Sequence, residues 1–97
     1  MRRIRFHEAA TRDLRQIAAQ TRQRWGNAQA STYNDALRRD IKSLPEFALR
    51  FPEHGESGLG LRKMRSGHHL VFYRVGEETI KVVRVLHERM DSSGHLG

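Results

Sequence analysis

The stretch Leu61-Arg62-Lys63-Met64-Arg65-Ser66-Gly67-His68-His69-Leu70-Val71-Phe72-Tyr73-Arg74-Val75, continuing as Gly76-Glu77-Glu78-Thr79-Ile80-Lys81-Val82-Val83-Arg84-Val85-Leu86-His87, decides the fold. It is rich in β-branched and aromatic residues and is interrupted by two short turn signals, so it predicts an extended chain that reverses twice. Ser66-Gly67 is the first turn, between a strand over residues 59–65 and a returning strand over 68–75. Gly76 to Thr79 form the second turn, leading into a strand over 80–87. The expected product is a three-strand antiparallel meander.

Upstream of this sheet the period changes. Ala10, Leu14, Ile17, Ala18, Thr21 and Trp25 recur at helical spacing and form one apolar stripe. Glu8 and Asp13 lie early and Arg22 and Arg24 late, as the helix dipole favours; His7 stands at the N-cap position. Gly26 ends this helix and Asn27 starts another, whose apolar face is Ala30, Tyr33, Leu37, Ile41 and Leu44. So short a connection forces the two helices to lie antiparallel. Leu14, Ala18, Trp25 and Tyr33 are expected in the core of that hairpin. Pro45 limits the second helix, a brief turn over 46–50 precedes Pro52, and the glycine-rich segment from His54 to Gly60 is expected to be a flexible loop. Ahead of the hairpin, Ile4 and Phe6 alternate with Arg3 and Arg5 as a short strand. The fold class is therefore α+β in the order β-α-α-β-β-β, one domain over residues 1–97 with a frayed tail over 92–97.

The chain has 97 residues, no cysteine and a net charge of +7. Disulfides, thiolate zinc sites and cysteine nucleophiles are thereby excluded. No apolar run approaches the roughly 20 residues of a membrane helix, and the charged N-terminus lacks the apolar stretch of a signal peptide. A cytoplasmic protein is expected. Residues 1–50 carry +6 of the charge and 51–97 only +1. Fifteen of the 18 basic residues are Arg, the side chain that grips carboxylates and phosphates in a fork. Such an excess points to a polyanionic partner, nucleic acid or acidic protein. His68-His69 invites a metal, but neighbours on a strand point to opposite faces. No metal or other cofactor is expected, and no glycine pattern opens a nucleotide cradle.

The hairpin Leu61 to Val75 resembles the central hairpin of ParE toxins, and Val82-Val83-Arg84-Val85-Leu86-His87-Glu88-Arg89-Met90-Asp91 resembles their last strand and terminal motif. Ala10-x-x-Asp13-Leu14-x-x-Ile17 and Trp25-Gly26 are similar to the first helix of the same family and its turn. The resemblance covers nearly the whole chain and implies a toxin of the RelE/ParE superfamily. For a ParE-type member it implies a non-enzymatic poison of DNA gyrase that blocks replication. It implies also an acidic, ParD-like antitoxin as partner, through which alone the pair would read operator DNA. The basic charge agrees with that partner and equally with RNA.

On this resemblance the expected target-binding residues are Arg62, Arg74, Arg84, His87, Arg89, Met90 and Asp91, with the segment after the last strand foremost. Arg15, Arg22, Arg38 and Arg39 are the expected antitoxin-binding residues, on the outer faces of the hairpin. Two other functions stay open. A RelE-like endoribonuclease acting on ribosome-bound mRNA needs an acid, a base and cations about a phosphate; His87 is the candidate there, but no tyrosine follows it. An inactive homologue that only binds its antitoxin needs no target surface. A direct DNA-binding regulator fits poorly, because helices joined this tightly do not form a helix-turn-helix.

Overall fold

The computed structural model of the chain describes residues 1–53 and 60–90. Strand β1 (Arg3–Phe6) leads into a helical hairpin, α1 (Glu8–Lys42), then a short helix α2 (Leu44–Phe47) and a 3-10 turn (Ala48–Arg50). Strands β2 (Arg62–Ser66), β3 (His69–Val75) and β4 (Thr79–His87) follow. The sheet order is β1-β4-β3-β2. Pairings β2–β3 and β3–β4 are antiparallel, as the sequence predicts, while β1 adds to β4 in parallel, Arg3 opposite Thr79 and Phe6 opposite Val82.

The break in α1 is local. His7 caps its start, its Nδ1 accepting the peptide N–H of Ala9 at 3.1 Å. At Gly26 the backbone turns to φ 78°, ψ 173°, a conformation open to glycine, and reverses the helix. Across the reversal the Asn34 amide donates to the Thr21 hydroxyl at 3.1 Å, and that hydroxyl donates back to the Ile17 carbonyl at 2.9 Å. The two limbs are thus antiparallel. Trp25 departs from its expected place in the core: it is 39% exposed, its ring meeting Tyr33 edge-on at 5.5 Å. Leu14, Ala18 and Tyr33 are half-buried. Trp25 is the last residue before the reversal, where the apolar stripe has run past its cover.

The core lies between the hairpin and one sheet face. Ala10, Ile17, Leu37 and Ile41 of α1 pack on Val71, Tyr73, Ile80, Val82 and Val85, with Leu44 and Ala48 closing one end. Each large side chain buried this way contributes roughly 1.5–3 kcal/mol of transfer free energy. Tyr73 is fully buried and donates its hydroxyl to the Ala48 carbonyl at 2.7 Å, which ties the 3-10 turn to the sheet. Burial pushes its hydroxyl up to about 12, although Arg62 nearby works the other way.

Two details fix the lower end of the sheet, where the candidate site lies. Ser66 pairs with His69, so the β2–β3 turn is Gly67-His68, one residue later than the sequence suggests. Gly67 takes φ 58°, and a Cβ there would sit 2.8 Å from the Tyr33 ring, so both conformation and space require glycine. The β3–β4 register shifts between Phe72 and Tyr73, whose partners are Arg84 and Val82. This bulge keeps both Val82 and Val85 buried. Strand β2 begins at Arg62, with Glu53 forming an isolated bridge to it; the expected loop from residue 54 to 59 and the tail over 92–97 lie outside the described residues. Among the described residues no helix is long and apolar enough to cross a membrane.

Candidate functional site

Two concave surfaces flank the helical hairpin. The first is a groove of about 720 Å³ between β1 and both limbs of α1. Ile4, Phe6, Leu14, Ala18 and Ile41 supply its apolar lining, and Arg15, Arg22, Arg38 and Lys42 its charge. Phe6 is 43% exposed although it belongs to an edge strand. An apolar floor with a cationic rim and no acidic lining suits an acidic amphipathic segment. Three of the four residues expected to meet the antitoxin therefore converge here; Arg39 is exposed but does not line the groove.

The second surface is a pocket of about 470 Å³ between the hairpin tip and the ends of β3 and β4, lined among others by Gln20, Arg24, Trp25, His69, His87 and Arg89. Three imidazoles meet beside it. His69 stands edge-on to His87 at 5.3 Å, and His68 stacks on His87 at 6.4 Å. The expectation that His68 and His69 diverge is relaxed by the turn, which returns His68 toward His87. Among the described residues, no three His, Asp or Glu side chains are placed to hold a metal ion.

The protons of this cluster follow from its hydrogen bonds. The peptide N–H of His68 donates to the Tyr33 hydroxyl at 3.0 Å. That hydroxyl lies 2.5 Å from His69 Nδ1; because its oxygen already accepts from His68, its own proton is assigned toward Nδ1, the tautomer that carries the His69 proton on Nε2. The Arg89 N–H donates to His87 Nδ1 at 3.1 Å, so neutral His87 also carries its proton on Nε2. Burial, then repulsion from His87 and His68, lowers the pKa of His69 to about 4. Burial likewise raises that of Tyr33. At the pocket edge Arg65 bonds Glu88 at 2.6 Å and holds its carboxyl below the usual range, with His68 Nδ1 3.5 Å from the same oxygen.

The other expected target residues are dispersed. Arg84 makes a forked contact with Asp13, Nε to Oδ2 at 2.7 Å and Nη2 to Oδ1 at 3.0 Å. Arg62 donates to the Phe51 carbonyl at 2.6 Å and lies 3.9 Å from Glu53. Arg74 is exposed on β3, opposite Lys81. None of these three lines the pocket with His87. Met90 is 46% exposed just beyond, its N–H donating to the His87 carbonyl at 3.0 Å; Asp91 lies outside the described residues. The sequence did not single out His69, Tyr33, Trp25 and Arg24 as site residues. The usable signal was the phase of His69 with Val71 and Tyr73, which turns it toward the helices.

The hairpin packed on a sheet of order β1-β4-β3-β2 is a fold shared with solved toxin–antitoxin proteins. The solved chromosomal ParDE toxin–antitoxin system of P. aeruginosa superposes with a TM-score of 0.78 at 18% identity, over 90% of this chain and 96% of that one. The RelBE2 toxin–antitoxin complex of Mycobacterium tuberculosis gives 0.67 at 21% identity, over 89% and 96%. At the level of sequence, residues 4–92 match the family described as the ParE toxin of the type II toxin–antitoxin system parDE. Toxin ParE1 of Caulobacter vibrioides is 36% identical over 97 residues, the whole of both chains. Toxin ParE1 of Mycobacterium tuberculosis is 42% identical over 93 residues, 91% of each. The chain belongs to the ParE toxin family of type II toxin–antitoxin systems.

Proposed function

We propose that this toxin inhibits DNA gyrase, and so blocks replication, without catalysing a reaction of its own, and that an acidic ParD-like antitoxin neutralises it. The observation that carries the antitoxin half is the groove: apolar residues from β1 and α1 framed by Arg15, Arg22, Arg38 and Lys42. Apolar anchors on that floor supply most of the affinity, and the cationic rim supplies speed and selectivity. Operator DNA is met only through the antitoxin. Support for the gyrase half comes from family membership and from Arg89 and Met90, both exposed after β4 and free to touch a target.

Cleavage of ribosome-bound mRNA is the competing function, and the joint presence of His69 and His87 beside Arg24 and Arg89 is what favours it. A paired assay of the purified toxin separates the two. Lost supercoiling with trapped cleaved DNA and intact mRNA establishes the gyrase function. Cut mRNA with gyrase untouched replaces it, and neither effect leaves a chain that only binds its antitoxin.

A further inference from the structure

We propose that the pocket at the hairpin tip is a binding site for single-stranded nucleic acid, holding one phosphodiester group and stacking the adjoining base on Trp25. This goes beyond gyrase inhibition and does not depend on it.

The pocket offers donors and cations. Arg24 and Arg89 line it, and among the described residues neither makes a side-chain ion pair. His69 and His87 each have Nδ1 occupied, by Tyr33 and by the Arg89 peptide N–H, so each has only Nε2–H left to offer. Gln20 adds a carboxamide, and no Asp or Glu lines the cavity. Glu88, the carboxylate beside His68, is paired with Arg65. Such a set brings no carboxylate to a cation and offers several hydrogen bonds to the oxygens of an anion. At about 470 Å³ the cavity falls within the roughly 300–1,000 Å³ of small-ligand pockets.

Trp25 decides which anion. A carboxylate or free phosphate needs only the donors, whereas a large ring, 39% exposed and propped edge-on by Tyr33, gains little in water. Beside two arginines it provides what a base needs, an aromatic face next to a cationic track for the backbone. Trp25 is thus exposed at the one site where its exposure has a use.

Trp25 is the only tryptophan of the chain, so its fluorescence reports the site directly. The experiment titrates the full-length toxin with a 5′-phosphorylated oligothymidylate, with the matching oligouridylate, and with an oligoglutamate of equal length. Saturable quenching by the oligonucleotides, weakened roughly tenfold in Arg24→Ala/Arg89→Ala and lost at high salt, is the expected result. The tighter of the DNA and RNA arms identifies the natural source. Arg12→Ala/Arg50→Ala, which removes equal charge far from the pocket, is expected to bind as the parent does, and Trp25→Leu, followed by anisotropy of a labelled strand, to bind weakly. Equal quenching by oligoglutamate makes the pocket a protein-binding surface and overturns the proposal. So does an equal loss in the two charge-matched double variants, which makes binding a property of overall charge. A toxin that inhibits gyrase but shows no quenching sinks this site and leaves the proposed function standing.

Discussion

Asp13 on α1 and Arg84 on β4 form a forked ion pair, and the same carboxylate accepts the peptide N–H of Val85 at 2.9 Å. Strand β1 reaches only as far as Val82 along β4, so among the described residues the edge of β4 beyond it has no strand partner. Asp13 takes that role for one residue, at the bulge that sets the phase of Val85 and His87. Removing the carboxylate takes the forked contact from a half-buried guanidinium and the acceptor from the Val85 peptide N–H. Asp13→Ala is expected to lower unfolding stability by roughly 2–4 kcal/mol, and Asp13→Asn by less. Denaturant titration of the full chain checks both, and a loss under ~0.5 kcal/mol for the alanine variant contradicts this role.

The buried His69 links folding to pH. Its folded pKa of about 4 lies below the ordinary 6.5, so between those values the unfolded chain takes a proton that the folded chain refuses. Stability is therefore whole above pH 6.5 and declines as pH falls toward 4, by at most about 3 kcal/mol. His69→Gln should flatten that part of the profile. A parent whose denaturation midpoint is constant across the window refutes the assignment.

Gly67 is predicted to tolerate no side chain. Gly67→Ala combines a left-handed backbone with a Cβ driven into Tyr33, at a cost of roughly 1–3 kcal/mol. Pairing it with Tyr33→Ala, which clears the space, should make the two changes cost less than their sum; strict additivity in thermal unfolding argues against the clash.

At the groove, Arg15→Glu and Arg22→Glu are expected to slow antitoxin association roughly tenfold at low salt, with a smaller effect on dissociation. Stopped-flow mixing measures this. Unchanged association kinetics move the antitoxin to another surface.

Truncation after His87 is expected to abolish growth arrest while antitoxin binding persists. Because Glu88 is tied to Arg65, the cut could also loosen the β2–β3 turn, so Arg89→Ala/Met90→Ala serves as the cleaner variant. Continued growth arrest by that double variant places the target contacts elsewhere.

The meander and the helical hairpin were legible in the sequence because their signals are local. Alternation, a glycine at a reversal and helical spacing each act over a few residues. The basic groove was legible in part, since Arg15, Arg22 and Arg38, which line it, follow from the outward face of the hairpin. What escaped was set by contacts between distant residues. Nothing around Arg84 announces Asp13, and nothing near Tyr33 announces the proton it gives His69. The turn moved by one residue because Tyr33, far away in sequence, packs against Gly67. Trp25 carried the periodicity of a core residue but stood where the stripe had no cover left.

The parallel pairing of β1 with β4 joins residues far apart in sequence, Arg3 lying against Thr79. During synthesis, then, β1 is made well before β4, the strand it pairs with. Non-local pairings of this kind form late. A message cut short before the codon for Thr79 yields a product whose sheet cannot close and whose groove lacks a fixed wall. Closing the sheet and walling the groove are thus one event in this architecture, and both wait for the strand that begins at Thr79.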